Sequence, residues 1–296
     1  MKIAQKALVS KMISSPVADI EVHTHEANKG LWQMIAVECD KTLASAVTFV
    51  EAALRSVSVM QLPGYGQSRF NIDAASATLE DHLSAIDMAC PSDNAVLYGY
   101  SHGGYFMTQY ALRNAGKVKA LVLVEPALFS AKEDLLQRAA LIDAGKEVES
   151  MASMITTVDS AAGRSEDQLR QVASNLVANV NSGAAVAQEY RIRAEHAVSE
   201  EDLAKLDIPV LLIAGTKSHA SFMVKRAFQA IPHATVAWIE GASHLDLEKV
   251  ENAQQIARAI DNFLESVGGD SGTGFKNLMA ELDNSRVATA PTELVS

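Results

Sequence analysis

The sequence predicts an α/β fold: a mostly parallel central sheet flanked by helices, with a helical segment inserted into it. Three observations lead there. Short apolar runs alternate with longer amphipathic stretches, the pattern of strand–helix–strand units. Several runs are nearly continuous in branched residues, as in Leu121-Val122-Leu123-Val124, which suits strands covered on both faces. The alternation stops at Pro126 and resumes at Pro209.

In chain order, strands are predicted over Leu31–Val37, Val57–Leu62, Ala95–Gly99, Lys119–Glu125, Pro209–Gly215 and Thr235–Glu240. Val17–Thr24 is expected to add an antiparallel edge strand. Helical periodicity marks Leu43–Arg55, Leu79–Ala89, Gly103–Asn114, Phe222–Ile231 and Ala253–Val267. Residues 1–125 and 206–267 are therefore read as the core. Residues 126–205 lack strand-like runs and are rich in Ala, Glu, Gln, Ser and Met at helical spacing. An independent helical domain would also fit, but a position between two strands of one sheet favours a helical cap. From Gly268 to Ser296 the composition reads as a Gly-rich linker and flexible tail, with a short helix near Phe275–Leu282.

The 296 residues are 48% hydrophobic, ample for a sizeable core, and the formal net charge is −11. That charge, with no cluster of basic residues, argues against nucleic acid as a partner. A metabolite, or an acyl group on a carrier, fits better; oligomeric state is left open. Only Cys39 and Cys90 are present, so neither a disulfide scaffold nor a cysteine metal site is expected. No stretch approaches the roughly 20 apolar residues of a membrane span, and the N-terminus lacks a signal-like apolar region. The expectation is a soluble cytoplasmic protein needing no metal and no cofactor.

The most informative segment is Gly99-Tyr100-Ser101-His102-Gly103-Gly104, between a predicted strand and a predicted helix. A nucleophile on so tight a bend needs small neighbours, because side chains at Gly99 or Gly103 would meet adjacent backbone. The following helix N-terminus favours negative charge beside the serine. Gly and Ser are common, so the five-residue pattern alone arises by chance; its strand-to-helix context makes it specific. Within it, the backbone N–H of His102, more than its imidazole, is the expected oxyanion donor.

With these residues the chain resembles the α/β-hydrolase superfamily, in its branch with a serine nucleophile. Three further segments carry the resemblance: Gln61-Leu62-Pro63-Gly64-Tyr65-Gly66-Gln67-Ser68, Ile208–Gly215 and Ile239-Glu240-Gly241-Ala242-Ser243-His244. It spans roughly Leu31 to Val267 and is weakest over the cap. It implies Ser101 as nucleophile and His244 as general base, acting through an acyl-enzyme. The other histidines have weaker contexts. His23 and His25 would pair on one strand face, but no third metal ligand is evident, and a polar strand face explains them better. His82, His196 and His233 read as surface residues, and His219 as a neighbour of the site.

Two departures from the family pattern stand out. The family places an Asp three residues after the glycine ending the Ile208–Gly215 strand, where this chain has Ser218. Glu125, at the C-terminal end of the preceding strand, is the substitute acid; a purely structural acidic residue there is the alternative. The second oxyanion donor is expected from the backbone of Cys39 or Asp40, in Glu38-Cys39-Asp40, where the family has His-Gly. Two carboxylates there oppose a developing oxyanion unless turned away. Cys39 itself is read as a packed thiol, since no elbow or base supports it as a nucleophile.

The sequence thus predicts a serine esterase, thioesterase or lactonase. An acyltransferase using the same acyl-enzyme is the first alternative. Arg138–Ala144, Gln188-Glu189-Tyr190 and Gly241–Glu248 resemble the 3-hydroxyacyl transferase and hydroxyalkanoyloxyalkanoate synthase branch. A catalytically weakened binding protein, suggested by Ser218 and Glu38-Cys39-Asp40, is the second.

Overall fold

In the computed structural model, the residues described are 9–25, 34–38, 56–90, 95–159, 164–247 and 249–268. The predicted helix Leu43–Arg55, the oxyanion candidates Cys39 and Asp40, and the tail beyond Gly268 lie outside them.

The strands are β1 (Val9–Ser14), β2 (Ala18–His25), β3 (Met34–Glu38), β4 (Val57–Gln61), β5 (Arg69–Phe70), β6 (Ala95–Tyr100), β7 (Val118–Val124), β8 (Val210–Gly215) and β9 (Ala234–Ile239). They form one sheet in the order β1-β2-β4-β3-β6-β7-β8-β9, with the short β5 beside β2. From β4 to β9 every pairing is parallel; β1 and β2 extend the sheet antiparallel. β1 is absent from the sequence reading because its residues are almost all exposed and show no apolar alternation. It, not β2, is the edge. Correspondingly His25, read as part of a polar edge face, is buried.

The helices are α1 (Leu79–Ala89), α2 (Ser101–Arg113), α3 (Lys132–Asp143), α4 (Glu147–Val158), α5 (Glu166–Val177), α6 (Gly183–Glu195), α7 (Glu200–Leu203), α8 (Ser221–Ala230) and α9 (Val250–Gly268). Among the described residues, none is long and apolar enough to cross a membrane.

The continuous apolar strands feed two cores. On β7, Leu121 and Leu123 face one core with α1, α2 and α8. Ala120, Val122 and Val124 face the other with α9. β6 and β8 divide likewise, so alternation places residues on opposite faces and both faces are covered. Helices α3 to α7 all lie between β7 and β8 in sequence. The apolar faces of α3 and α6, through Leu135, Ala139, Ile142, Val186 and Tyr190, join the first core. Asn179 and Asn181 also tie this segment to the loop after β4. Gly66 N–H donates to the Asn179 carbonyl at 2.9 Å, and the Asn181 side chain donates to the carbonyls of Gly66 and Ser68.

The order of connections sets where a site forms. β3 lies between β4 and β6, so the chain passes to one side for β4 and crosses back for β6. Ligand crevices form at the C-terminal ends of strands at such a reversal, and β6 ends there on Tyr100.

Candidate active site

Ser101 begins α2 directly after β6, with a left-handed φ of 46°. Such a conformation is costly for a non-glycine residue and persists only where its surroundings enforce it. The enforcement is close packing. A Cβ on Gly99 would stand 2.6 Å from the Gly104 Cα, and one on Gly104 would stand 2.7 Å from the Pro126 Cβ. The Ser101 carbonyl accepts a hydrogen bond from Ala127 N–H at 2.9 Å. The bend is thus clamped between its own helix and the chain leaving β7.

Glu125 is the other non-glycine residue with positive φ among those described, at 41°. It was expected at the end of a strand; the strand instead stops at Val124, and the turn at Glu125 redirects its side chain. Its carboxylate is buried and accepts three hydrogen bonds. Gly215 N–H donates to Oε1 at 2.9 Å, the Ser218 hydroxyl to Oε2 at 2.6 Å, and His244 Nδ1–H to Oε2 at 2.5 Å. Ser218, the departure from the family pattern, is therefore a donor to the carboxylate on the neighbouring strand.

Since a carboxylate only accepts, Nδ1 of His244 carries the proton and Nε2 is left as the acceptor. Nε2 lies 3.1 Å from Ser101 Oγ. The imidazole is buried and doubly held: Tyr100 stacks on it with ring centroids 5.0 Å apart, and the Tyr100 hydroxyl donates to the His244 carbonyl at 2.9 Å. Its loop is fixed against β8, because the Ala242 carbonyl receives Lys217 N–H at 2.9 Å. A Cβ on Gly215 would come within 2.2 Å of that carbonyl oxygen, so only glycine admits this loop. Asp246 closes it, accepting Ser243 N–H at 2.9 Å. Burial opposes ionisation of Asp246, but Lys249 and the Ser243 N–H outweigh it and hold the carboxyl down at about 2.

For His102, expected as a donor through its backbone N–H, the structure adds a set of imidazole contacts. The imidazole has a partner on each ring nitrogen. Arg193 Nη1 donates to Nδ1 at 3.0 Å, so Nε2 carries the proton and donates to Glu189 at 2.9 Å. Burial lowers the imidazole pKa, in keeping with this neutral form. The His102 N–H itself lies in the first turn of α2, where amides lack intrahelical acceptors.

Glu189 is wholly buried and also accepts the Tyr65 hydroxyl at 2.9 Å. Burial raises its pKa, but the histidines beside it prevail and keep the carboxyl ionised, at about 2. His82, read as a surface residue, is instead fully buried between Phe70 and Phe106, with Nε2 3.6 Å from Glu189. Its position on the inward face of α1 decided this. His219 is exposed and does not line the cavity, whereas His196 is exposed and His233 half-buried.

Above Ser101 and His244 lies a cavity of about 130 Å³. Met151, Met154, Val158 and Leu176 from the inserted helices, with Met223 and Leu245, form its apolar wall. Arg138 and Arg193 are its charged members. Neither arginine, nor Glu189, was singled out from sequence as a site residue. A signal was present: Arg138 falls in the apolar stripe Leu135, Ala139, Ile142 of α3, and Glu189 and Arg193 fall in that of α6.

The family profile described as the alpha/beta hydrolase fold matches residues 53–249. No curated protein sequence matches. Among solved structures, the chain is similar to a thermophilic esterase from Thermogutta terrifontis, with 21% identity and a TM-score of 0.69, covering 88% of this chain and 99% of that one. It is similar to the enol-lactonase from Burkholderia xenovorans LB400, with 17% identity and a TM-score of 0.67, covering 84% and 98%. The thioesterase domain from the curacin biosynthetic pathway gives 17% identity and a TM-score of 0.60, covering 86% and 99%. At these identities the likeness is one of fold.

Proposed function

This chain belongs to the alpha/beta hydrolase fold family, and on that premise we propose that it is a serine-dependent hydrolase cleaving an acyl ester, thioester or lactone through an acyl-enzyme. The observation that carries the reading is the line of contacts from Ser101 Oγ to His244 Nε2 at 3.1 Å and from His244 Nδ1 to Glu125 at 2.5 Å.

In this reading Ser101 Oγ attacks the acyl carbonyl carbon while His244 Nε2 takes the hydroxyl proton. Glu125 keeps the imidazole in the right tautomer and stabilises the imidazolium. The oxyanion forms at the N-terminus of α2, where the His102 N–H is the proposed donor; Cys39 or Asp40 remains the proposed second donor. His244 then returns the proton to the leaving group, and water releases the acyl group by the reverse sequence. The segment 126–205 acts as the cap, a reading supported by its methionines and Leu176, which line the cavity with Ser101.

A fluorophosphonate probe tests this directly. Labelling of the wild type and its loss in Ser101→Ala is the expected result; an unlabelled wild type overturns the reading. Incubation with an acyl thioester, with and without a hydroxyacyl acceptor, then distinguishes hydrolysis from transfer by product.

A further inference from the structure

Arg138 is only 4% exposed, yet among the described residues no carboxylate lies within ion-pair distance of it. Its guanidinium makes one side-chain hydrogen bond, from Nη2 to Thr157 Oγ1 at 3.0 Å, and its Nε is buried without a partner. A buried charge is strongly unfavourable unless it is paired and hydrogen-bonded. The two buried carboxylates of the site make their contacts elsewhere. Glu125 serves His244, Ser218 and Gly215, and Glu189 serves Tyr65 and His102 through Oε2, with Oε1 3.6 Å from His82 Nε2. Arg193, the second guanidinium on the cavity, also has an unpartnered Nε, but both its terminal nitrogens are engaged, donating to His102, Ala127 and Ser130. It adds positive charge and neutralises none. Arg138 therefore faces the cavity that contains Ser101 with donors to spare and a missing counter-charge.

We propose that Arg138 is the recognition residue for a carboxylate on the acyl part of the substrate, so that the enzyme prefers esters of dicarboxylic acids over those of neutral fatty acids. This rests on the hydrolase reading above and names its substrate class. The guanidinium suits a carboxylate, which it can bind with two parallel N–H donors. Arg138 and Ser101 line the same cavity of about 130 Å³, so one acyl chain placed there can meet both.

The test uses the full-length protein and mono-para-nitrophenyl esters of glutaric, adipic and pimelic acids, each against its methyl-capped diester. Wild type is expected to favour at least one free acid over its capped partner by about tenfold or more in kcat/KM, the scale of one charge-assisted hydrogen bond. Arg138→Met is expected to abolish that ratio, and Arg138→Lys to retain part of it. Because the ratio is the readout, a general loss of activity cancels. Calorimetry on Ser101→Ala with monomethyl adipate and dimethyl adipate supplies an arm independent of turnover. Binding of the free acid alone, lost on adding Arg138→Met, supports the site. Equal kcat/KM for acid and capped esters, a ratio unmoved by Arg138→Met, or equal binding of both adipates overturns it. Absence of fluorophosphonate labelling with Arg138-dependent binding of monomethyl adipate would overturn the hydrolase reading while leaving the carboxylate site standing.

Discussion

Two glutamate–histidine pairs meet the same turn, one through Ser101 and wholly buried, the other through the half-buried His102. On the sheet side, His244 joins Glu125 to the Ser101 hydroxyl. On the side of the inserted helices, His102 joins Glu189 to the Arg193 guanidinium. The carboxylate and the imidazole are alike in both; the third partner differs. The far nitrogen of His244 is an acceptor facing a hydroxyl, so a proton can move to it. The far nitrogen of His102 already receives an N–H from a guanidinium, which does not give up its proton. The same pair is therefore suited to acid–base chemistry in one place and to fastening the inserted helices against the turn at Ser101 in the other.

The comparison is broken most severely by removing the acid of the first pair. Glu125→Gln is expected to lower the rate of acyl-enzyme formation by about 10³–10⁴-fold, the scale seen when a triad carboxylate is made neutral. A stopped-flow burst with an activated ester measures it, and near-normal turnover would remove Glu125 from the role proposed here. Glu189→Gln should do the opposite. It leaves the His102 Nε2–H and the Tyr65 hydroxyl facing an amide instead of a carboxylate, costing about 1.5–3 kcal/mol of stability, read from urea unfolding, with a catalytic loss far smaller than that of Glu125→Gln. If Glu189→Gln were the catalytically worse variant, the assignment of roles would be reversed.

Smaller effects sharpen it. Ser218→Ala removes one of three donors from Glu125 without touching its contact with His244, and about a tenfold fall in kcat is expected. Steady-state kinetics at pH 7 would show it. The Glu189 carboxyl supplies the last distinction. Its pKa is depressed in the folded protein, so its stabilising contribution is complete above the usual carboxylate value of 4.5. That contribution disappears as pH falls toward about 2. Acid unfolding of wild type should carry this slope between those limits, and the Glu189→Gln variant should lack it.

Much of this was legible in the residues. Continuous apolar strands announced a sheet covered on both faces, and β6 to β9 appear within a residue or two of their expected limits. Gly99 and Ser101 marked the elbow because a bend that tight excludes side chains. The structure brings together Ser101, His244 and Glu125, three residues separated by up to 143 positions. What stayed hidden was polar chemistry inside helices. His82, Glu189, Arg138 and Arg193 look like ordinary surface residues one by one, and only their places on apolar stripes hint otherwise.

The sequence by itself determined the sheet, the helical insertion and the turn that presents Ser101, because each depends on local periodicity and on small residues at tight bends. Only the tertiary structure decided which carboxylate meets His244, that Ser218 donates to it, and that Arg138 is buried on the cavity without a counter-charge. Those outcomes depend on how strands and inserted helices meet across long stretches of chain, and hydrogen-bond partnership is settled by distance in space, which spacing along the chain does not encode.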